Sequence, residues 1–142
     1  MRINVVHPKY LTDQHLIAEG REIKMLPKMF IKSLRSKGGL GNFGGLYTLN
    51  KGHGKCLYDK FGFIQSRFED LVTEIKSRGF KMSYDILDLS QIPQEFFGDY
   101  KPTPEALRIN VERIKLRIHD KPSWYRYRGH RMDWDKFYER FN

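Results

Sequence analysis

The sequence is poor in cysteine and has no long apolar run. Cys56 is the only thiol, so no intramolecular disulfide can form, and this usage is typical of a reducing compartment. A membrane span needs about 20 consecutive apolar residues, and the Met-Arg start lacks the apolar core of a secretion signal. We therefore expect a soluble, cytoplasmic protein with no membrane partner.

Acidic residues are also few. The 17 Asp and Glu stand against 26 Lys and Arg, which gives a formal net charge of +9. Residues 1–55 hold ten basic and three acidic side chains, residues 56–102 carry a net charge of −2, and residues 121–142 carry +3. Positive charge at both ends of the chain predicts a surface that binds a polyanion, with a solvated basic face as the alternative.

The length of 142 residues suits one domain with a buried core, and an aromatic content of 14% argues against disorder. We assign residues 1–142 to a single domain in which residues 130–142 are a C-terminal extension. In that extension, rings at helical spacing predict a short amphipathic element; they belong to Trp134, Phe137, Tyr138 and Phe141.

Apolar residues recur at helical spacing in three stretches. The first predicted helix follows a Thr12 N-cap and is ended or kinked at Pro27, with a helical continuation beyond it. The second runs from about residue 58 to residue 78 and stops at a glycine. The third follows a Thr103 N-cap and ends before Pro122. The sequence therefore predicts an all-α domain of three main helices with long irregular connections.

The two long connections differ in composition. Residues 36–56 contain seven glycines, which excludes a long helix and favours a loop with a short extended piece at residues 46–49. These glycines could cradle phosphates, but no Walker pattern is present, so a flexible surface loop is the preferred interpretation. Residues 81–102 are interrupted by prolines and a glycine and are expected to be irregular.

The first predicted helix carries polar residues where a buried face is expected. His15, Glu19 and Glu22 share one face on a 3.6-residue period, and Gln14 and Arg21 lie beside it. One interpretation is a functional site on this face. The other is an ordinary surface ion pair between Arg21 and Glu22, and the residue pattern by itself leaves both open.

The C-terminal tail interleaves rings with basic residues. Bases can stack on the rings while the cations neutralise phosphates, so the tail predicts nucleic-acid contacts at Trp124, Tyr125, Arg126 and Tyr127, flanked by Arg117 and Lys121. The alternative is that these rings pack on the helices, and Trp124 is then the expected core residue. Both interpretations are expected to hold in part.

A zinc site is not expected. His53 and Cys56 have an H-x-x-C spacing, but no second pair stands nearby to complete four ligands.

Short motifs occur in a fixed order along the chain. They are R-I-N at residues 2–4, L-x-D-Q-H-L-x-A-E-x-R-E at 11–22, G-H at 52–53, Y-D-K at 58–60, R-G-F at 78–80, I-P-Q-E-F at 92–96, G-D-Y at 98–100 and W-Y-x-Y-x-G at 124–129. In this order they resemble the pyrimidine-dimer DNA glycosylases with AP-lyase activity, the endonuclease V type of the T-even phages. The resemblance covers most of the chain.

The resemblance implies a three-helix fold with the N-terminal arm between helices, and double-stranded DNA with damaged bases as the partner. The terminal α-amine, here that of Met1, would attack C1′ of the damaged nucleotide. An imine would form and β-elimination would cut the strand, with Glu22 as the catalytic glutamate. The implied DNA contacts are Arg2, Gln14, His15, Arg21 and Lys28, the last where the family has arginine. No metal or cofactor is implied, and we expect a monomer.

An α-amine suits this chemistry, because such groups have a pKa of about 7.7–8 against about 10.4 for lysine. The chain also departs from the family, since Met1 stands where phage members expose threonine. The large Arg2 predicts that this methionine is retained. Three residues are inserted at 23–25, and the loop at 36–50 differs. A lyase for abasic sites or another modified base, and a DNA-binding module without catalysis, are the alternatives.

Overall fold

The computed structural model describes residues 1–82 and 86–142. Its α-helices are α1 Asp13–Glu22, α2 Met25–Leu34, α3 Phe61–Ser77, α4 Pro104–Asp120 and α5 Trp134–Phe137. Short 3-10 helices lie at Pro8–Tyr10, Lys55–Leu57, Gln94–Phe96 and Glu139–Phe141. The described residues form isolated bridges but no β-strand, so the predicted all-α class is confirmed. No helix among them combines the length and apolar character that crossing a membrane requires.

The first predicted helix is two helices. α1 begins after Thr12, whose Oγ1 accepts a hydrogen bond from the His15 N–H at 3.0 Å. It ends at Glu22, and α2 begins at Met25. Pro27 is the third residue of α2, where the N–H groups of the first turn have no partner within the helix, so a proline breaks no bond there. The break therefore lies before the proline. The described chain has four main helices, α1 to α4, where the sequence predicted three.

The second and third predicted helices are confirmed as α3 and α4. At the end of α3, Gly79 adopts a φ of +82°. Its N–H donates to the Lys76 carbonyl at 2.9 Å, and the Phe80 N–H donates to the Ile75 carbonyl at 3.1 Å. This pair of bonds is a Schellman motif, which satisfies the last carbonyl groups of the helix. α4 begins after the Thr103 cap and ends before Pro122, as expected.

The connections are irregular, but the extended piece expected at residues 46–49 forms no strand. Hydrogen bonds from side chains, and not a β-ladder, fix the backbone of this segment. The Lys60 ammonium group donates to the Gly45 carbonyl at 3.2 Å, and the Tyr47 side chain turns inward to the N-terminal arm. The irregular segment 81–102 contains one 3-10 helix, and its residues 83–85 lie outside the described chain.

The N-terminal arm, residues 1–12, lies between helices as expected. Ile3, Val5 and Val6 are buried. The Val6 carbonyl accepts a hydrogen bond from Arg67 of α3, and the Val5 N–H donates to Asn110 Oδ1 of α4 at 2.8 Å. The arm is thus part of the core, which fixes the place of the chain start.

The tail is fastened to the start of α1. Tyr127 and His130 exchange two backbone hydrogen bonds around Arg128 and Gly129, whose φ values of 50° and 82° are those of a type I′ turn. The Asp13 carboxylate accepts the N–H groups of both turn residues at 2.9 Å. Because Asp13 is the first residue of α1, the tail runs past the N-terminal end of that helix.

The C-terminal extension forms the predicted short element, α5 with the 3-10 helix after it. Tyr138 is fully buried, and its hydroxyl donates to the Tyr10 carbonyl at 2.6 Å. Trp134 is 7% exposed. The extension therefore covers the far end of the arm.

Candidate active site

A pocket of about 260 Å³ opens where the arm, α1, α4 and the tail meet. Its walls are Met1, Arg2, Asn4, His15, Ala18, Glu19, Glu22, Arg117 and Tyr125. The predicted polar face of α1 therefore does line a single cavity. Most of the lining side chains are polar, and the chain start forms part of the wall.

Glu22 lies against the start of the arm. Its Oε2 accepts a hydrogen bond from the Arg2 backbone N–H at 3.1 Å, and the residue is partly buried. Because Met1 immediately precedes that N–H, the carboxylate and the chain start share one wall. Within the described residues no ion pair joins Arg21 to Glu22, and Arg21 is exposed. The surface ion pair is therefore not what this carboxylate forms.

The Ile3 backbone is held from both sides. Its N–H donates to His53 Nε2 at 2.8 Å, and its carbonyl accepts the Tyr47 hydroxyl at 2.7 Å. His53 Nδ1 lies 2.7 Å from the Thr48 carbonyl, so this nitrogen carries the proton and the ring is neutral. Burial, the largest cause, lowers the pKa of His53 and favours that neutral form. Burial also raises the pKa of Tyr47, which keeps its hydroxyl a donor.

A buried polar network holds the next residues of the arm. Asn110 Oδ1 accepts the N–H groups of Val5 and Val6 at 2.8 and 3.0 Å, and its Nδ2 donates to Asn4 Oδ1 at 2.6 Å. Asn4 in turn donates to Glu19 Oε1 at 2.7 Å. One side-chain amide on α4 thus connects the arm to the polar face of α1.

Glu19 completes this network with Arg67. The guanidinium donates to both carboxylate oxygens at 2.8 and 2.9 Å, and the two side chains are 1% and 3% exposed. A buried ion pair is tolerated only when its remaining donors and acceptors are satisfied. Here Arg67 also donates to the Val6 carbonyl, and no buried side-chain nitrogen or oxygen of the described residues lacks a partner. The Glu19 carboxylate that lines the pocket is therefore fully paired by Arg67 and Asn4.

His15 supplies a flat ring to the pocket. It stacks on Tyr125 with ring centroids 4.8 Å apart and an interplanar angle of 11°. Its Nδ1 lies 2.7 Å from Thr12 Oγ1. Burial, followed by the charges of Arg2 and Arg117, lowers the pKa of His15 to about 4. The ring is therefore neutral at pH 7 and adds no charge of its own.

Two arginines, Arg2 and Arg117, line the pocket, and the charge of Arg113 also acts on Arg2. Burial, then the charges of Arg113 and Arg117, lower the pKa of Arg2. Their mutual repulsion is relieved when an anion lies among them, and guanidinium groups match the geometry of phosphate oxygens. The two arginines of the pocket wall are therefore suited to a phosphate group.

Residues 1–88 match the family model described as pyrimidine dimer DNA glycosylase. This span covers more than half of the 142 residues. The chain belongs to the pyrimidine dimer DNA glycosylase family. Membership carries a DNA repair glycosylase function with DNA as the substrate. The matched span contains Met1, Glu22 and the arm, whereas Arg117 and Tyr125 reach the pocket from the chain beyond it.

In this glycosylase the aromatic tail is held by its backbone. Gln14 Nε2 donates to the Trp124 carbonyl at 2.9 Å, and Gln14 Oε1 accepts the Arg126 N–H at 3.0 Å. Gln14, predicted to contact DNA, is therefore occupied at both ends of its amide. The expectation that Trp124 is the core residue is wrong, since Trp124 is 57% exposed and Tyr125 is 9% exposed. The Tyr125 ring packs inward against the His15 ring, and the Trp124 ring lies outside it, with its centroid 5.1 Å from that of Tyr125.

Two further predicted DNA contacts make internal bonds. The Tyr127 hydroxyl donates to the Lys9 carbonyl at 2.8 Å, and the Arg78 guanidinium lies 4.3 Å from the ring centroid. Arg126 donates to the carbonyl groups of its neighbours Ser123 and Tyr125. The Tyr127 and Arg126 side chains therefore hold the backbone conformation and position of the tail.

The other predicted contacts are exposed and lie outside the pocket walls; they are Arg21, Lys28 and Lys121. Lys28 borders a separate groove between α2 and residues 86–92. The Lys121 ammonium group lies 5.9 Å from the Trp124 ring centroid. These three side chains add exposed positive charge outside the pocket walls and do not touch the chain start.

The sequence patterns did not identify several residues that hold the site: Asn4, Arg67, Asn110 and Arg113. A usable signal existed for two of them. Arg67 falls within the apolar stripe of α3, and Asn110 falls between Ala106 and Ile114 on that of α4. A polar residue at a core position of a helix predicts a buried partner, because an unpaired one is costly.

The H-x-x-C pair serves the fold. Both nitrogens of His53 are engaged, by the Ile3 N–H and the Thr48 carbonyl, and the Cys56 thiol donates to the His53 carbonyl at 2.9 Å. No group of three or more potential ligands gathers among the described residues.

Proposed function

We propose that this protein removes pyrimidine dimers from double-stranded DNA by a combined glycosylase and AP-lyase reaction, with the Met1 α-amine as nucleophile and Glu22 as the catalytic carboxylate. The observation that carries the proposal is the hydrogen bond from the Arg2 N–H to Glu22 Oε2, which places that carboxylate beside the chain start in a polar pocket. The proposal requires that Met1 be the first residue of the mature chain and that its amine be free.

In the first step the amine lone pair forms a bond to C1′ as the bond from C1′ to the base nitrogen breaks. The base leaves with that electron pair and takes up a proton, and opening of the sugar gives a protonated imine. A carboxylate beside C1′ stabilises the positive charge that develops on the sugar, because the pocket limits competing solvation. Glu22 occupies that position.

In the second step Glu22 accepts a proton from C2′. The electrons of that C–H bond form a double bond, the C3′–O bond breaks, and the phosphate leaves, which cuts the strand. Water then hydrolyses the imine and releases the enzyme.

The DNA-binding assignments follow from exposure and charge. We propose that Arg2 and Arg117 hold phosphates near the lesion, that Arg21, Lys28 and Lys121 bind the flanking backbone, and that Trp124 stacks on a base. The internally bonded group acts by shaping the tail and the pocket wall; it consists of Gln14, His15, Tyr125, Arg126 and Tyr127. We expect the enzyme to act as a monomer in the cytoplasm.

Cleavage assays on matched duplexes test this function. The three substrates share one sequence and carry a cyclobutane pyrimidine dimer, an abasic site or no damage. We expect the strand to be cut at the dimer and at the abasic site, with undamaged DNA left intact. Cleavage at the abasic site alone identifies a lyase for abasic sites or another modified base, and binding without any cleavage identifies a non-catalytic module.

A further inference from the structure

The Met1 side chain has a place of its own in the fold. It is half-buried and packs against the hydrophobic core. A Cβ atom placed on Gly54 would lie 3.5 Å from Met1 Cε. The same atom would lie 3.6 Å from Met29 Cε and 3.8 Å from Leu26 Cδ1, both of α2. Three apolar side chains therefore converge on Gly54, which leaves room for them because it carries no side chain.

The backbone that follows Met1 is held by two hydrogen bonds. The Arg2 N–H donates to Glu22 Oε2 at 3.1 Å, and the Ile3 N–H donates to His53 Nε2 at 2.8 Å. The peptide bond between Met1 and Arg2 is planar, so the bonded Arg2 N–H also sets the place of Met1 Cα. The main freedom left to the α-amine is rotation about the bond between Met1 Cα and its carbonyl carbon.

The side chain of Met1 restricts this last rotation. The amine nitrogen and Cβ are both bonded to Met1 Cα, so they turn together. A rotation that moves the amine away would draw the thioether group off Gly54 and return apolar surface to water, which is unfavourable. Because Met1 also lines the pocket, the packed side chain keeps the chain start at the pocket wall.

We propose that the Met1 thioether side chain is an anchor that holds the α-amine at the pocket beside Glu22. Met1 is then a positioning residue through its side chain, in addition to the nucleophilic role proposed for its amine. This inference rests on the proposed function. Position matters for such a reaction, since a misplacement of about 1 Å can lower a rate about 10²-fold.

The test compares Met1→Ala with Met1→Leu and with Met25→Ala. Residue 1 can be varied when the chain is made as a fusion whose protease cleaves directly before it, and the wild type is made in the same way. Met1→Ala keeps a free α-amine but removes the thioether, whereas Met1→Leu keeps a large apolar side chain. Met25 is 45% exposed on α2, so Met25→Ala controls for loss of a methionine elsewhere. Thermal melting confirms that each variant is folded.

The substrate is a duplex with an abasic site, on which an imine can form without removal of a base. Borohydride trapping at saturating DNA gives the rate constant of imine formation, and fluorescence anisotropy gives Kd. Both are measured at about pH 9, above the usual pKa of an α-amine, so that a small pKa difference between the alanine and methionine amines has little effect. The wild type is also tested on the dimer duplex.

With Met1→Ala we expect the trapping rate constant to fall about tenfold, while Kd changes less than about twofold. The loss should be smaller than for full misplacement, because the hydrogen bonds of Arg2 and Ile3 remain. Met1→Leu should recover most of the rate, and Met25→Ala should keep it.

Equal rate constants for Met1→Ala and the wild type overturn the anchor alone. So does a loss that appears only in Kd, or one that Met1→Leu does not recover. A wild type that forms no adduct with either duplex overturns the proposed function and the anchor with it.

Discussion

Replacing Glu22 by glutamine should lower the cleavage rate at saturating DNA by a factor of about 10² to 10⁴, the range for removal of a positioned acid–base group. Glutamine keeps an oxygen that can accept the Arg2 N–H, so the arm should keep its place. It cannot balance the charge on the sugar or accept the C2′ proton. DNA binding should be kept or slightly strengthened, because a negative charge is removed from a surface that faces phosphates.

Glu69→Gln is the matched control, since Glu69 is an exposed carboxylate on α3. Single-turnover cleavage and fluorescence anisotropy on the same dimer duplex separate the chemical step from binding. If the Glu22→Gln variant cut the dimer duplex at the wild-type rate, the carboxylate beside the chain start would have no part in the reaction.

Replacing Arg67 by methionine should destabilise the protein by about 3–5 kcal/mol, because the change leaves the Glu19 carboxylate buried without its partner. The Val6 carbonyl also loses a donor, so the arm should loosen where it passes α3. Methionine keeps the apolar stem volume and limits the formation of a cavity. Urea unfolding measures the loss as a shift in midpoint with the slope unchanged.

Arg108→Met is the control for Arg67→Met. Arg108 pairs with Glu105 and Glu112 on α4, but its side chain is 52% exposed. Exposed pairs contribute little to stability, so the unfolding midpoint should hardly move. Equal shifts for the two variants would contradict the assignment of the buried pair as the support of the arm.

The helices could be predicted because their signals are local. The apolar stripe of α3, the glycine after it and the Thr103 cap of α4 each act within a few residues of sequence, and each is found where expected. The break between α1 and α2 was placed wrongly for a physical reason. A proline in the first turn is compatible with a helix, so Pro27 marks the start of α2 and not the end of α1.

The site could be predicted only in part, because its contacts join residues far apart in the chain. The shared face of His15, Glu19 and Glu22 followed from helical spacing. Nothing local indicates that Asn110 binds the backbone of the arm, because that contact spans more than 100 residues.

The inward-facing ring of the tail could not be predicted for the same reason. Helical or extended spacing cannot tell which of two adjacent rings turns inward. The choice of Tyr125 over Trp124 is made by the His15 ring and by the Gln14 amide, both on α1.

Borohydride trapping tests the central claim most directly, because reduction fixes the imine to the amine that formed it. The protein is incubated with the dimer duplex and sodium borohydride, and the adduct is digested and mapped by mass spectrometry. The intact mass first establishes whether the chain begins with an unblocked Met1. We expect one adduct, on the α-amine of Met1, and none with undamaged DNA. An adduct on an internal lysine, or cleavage of the dimer strand without any adduct, would contradict the account.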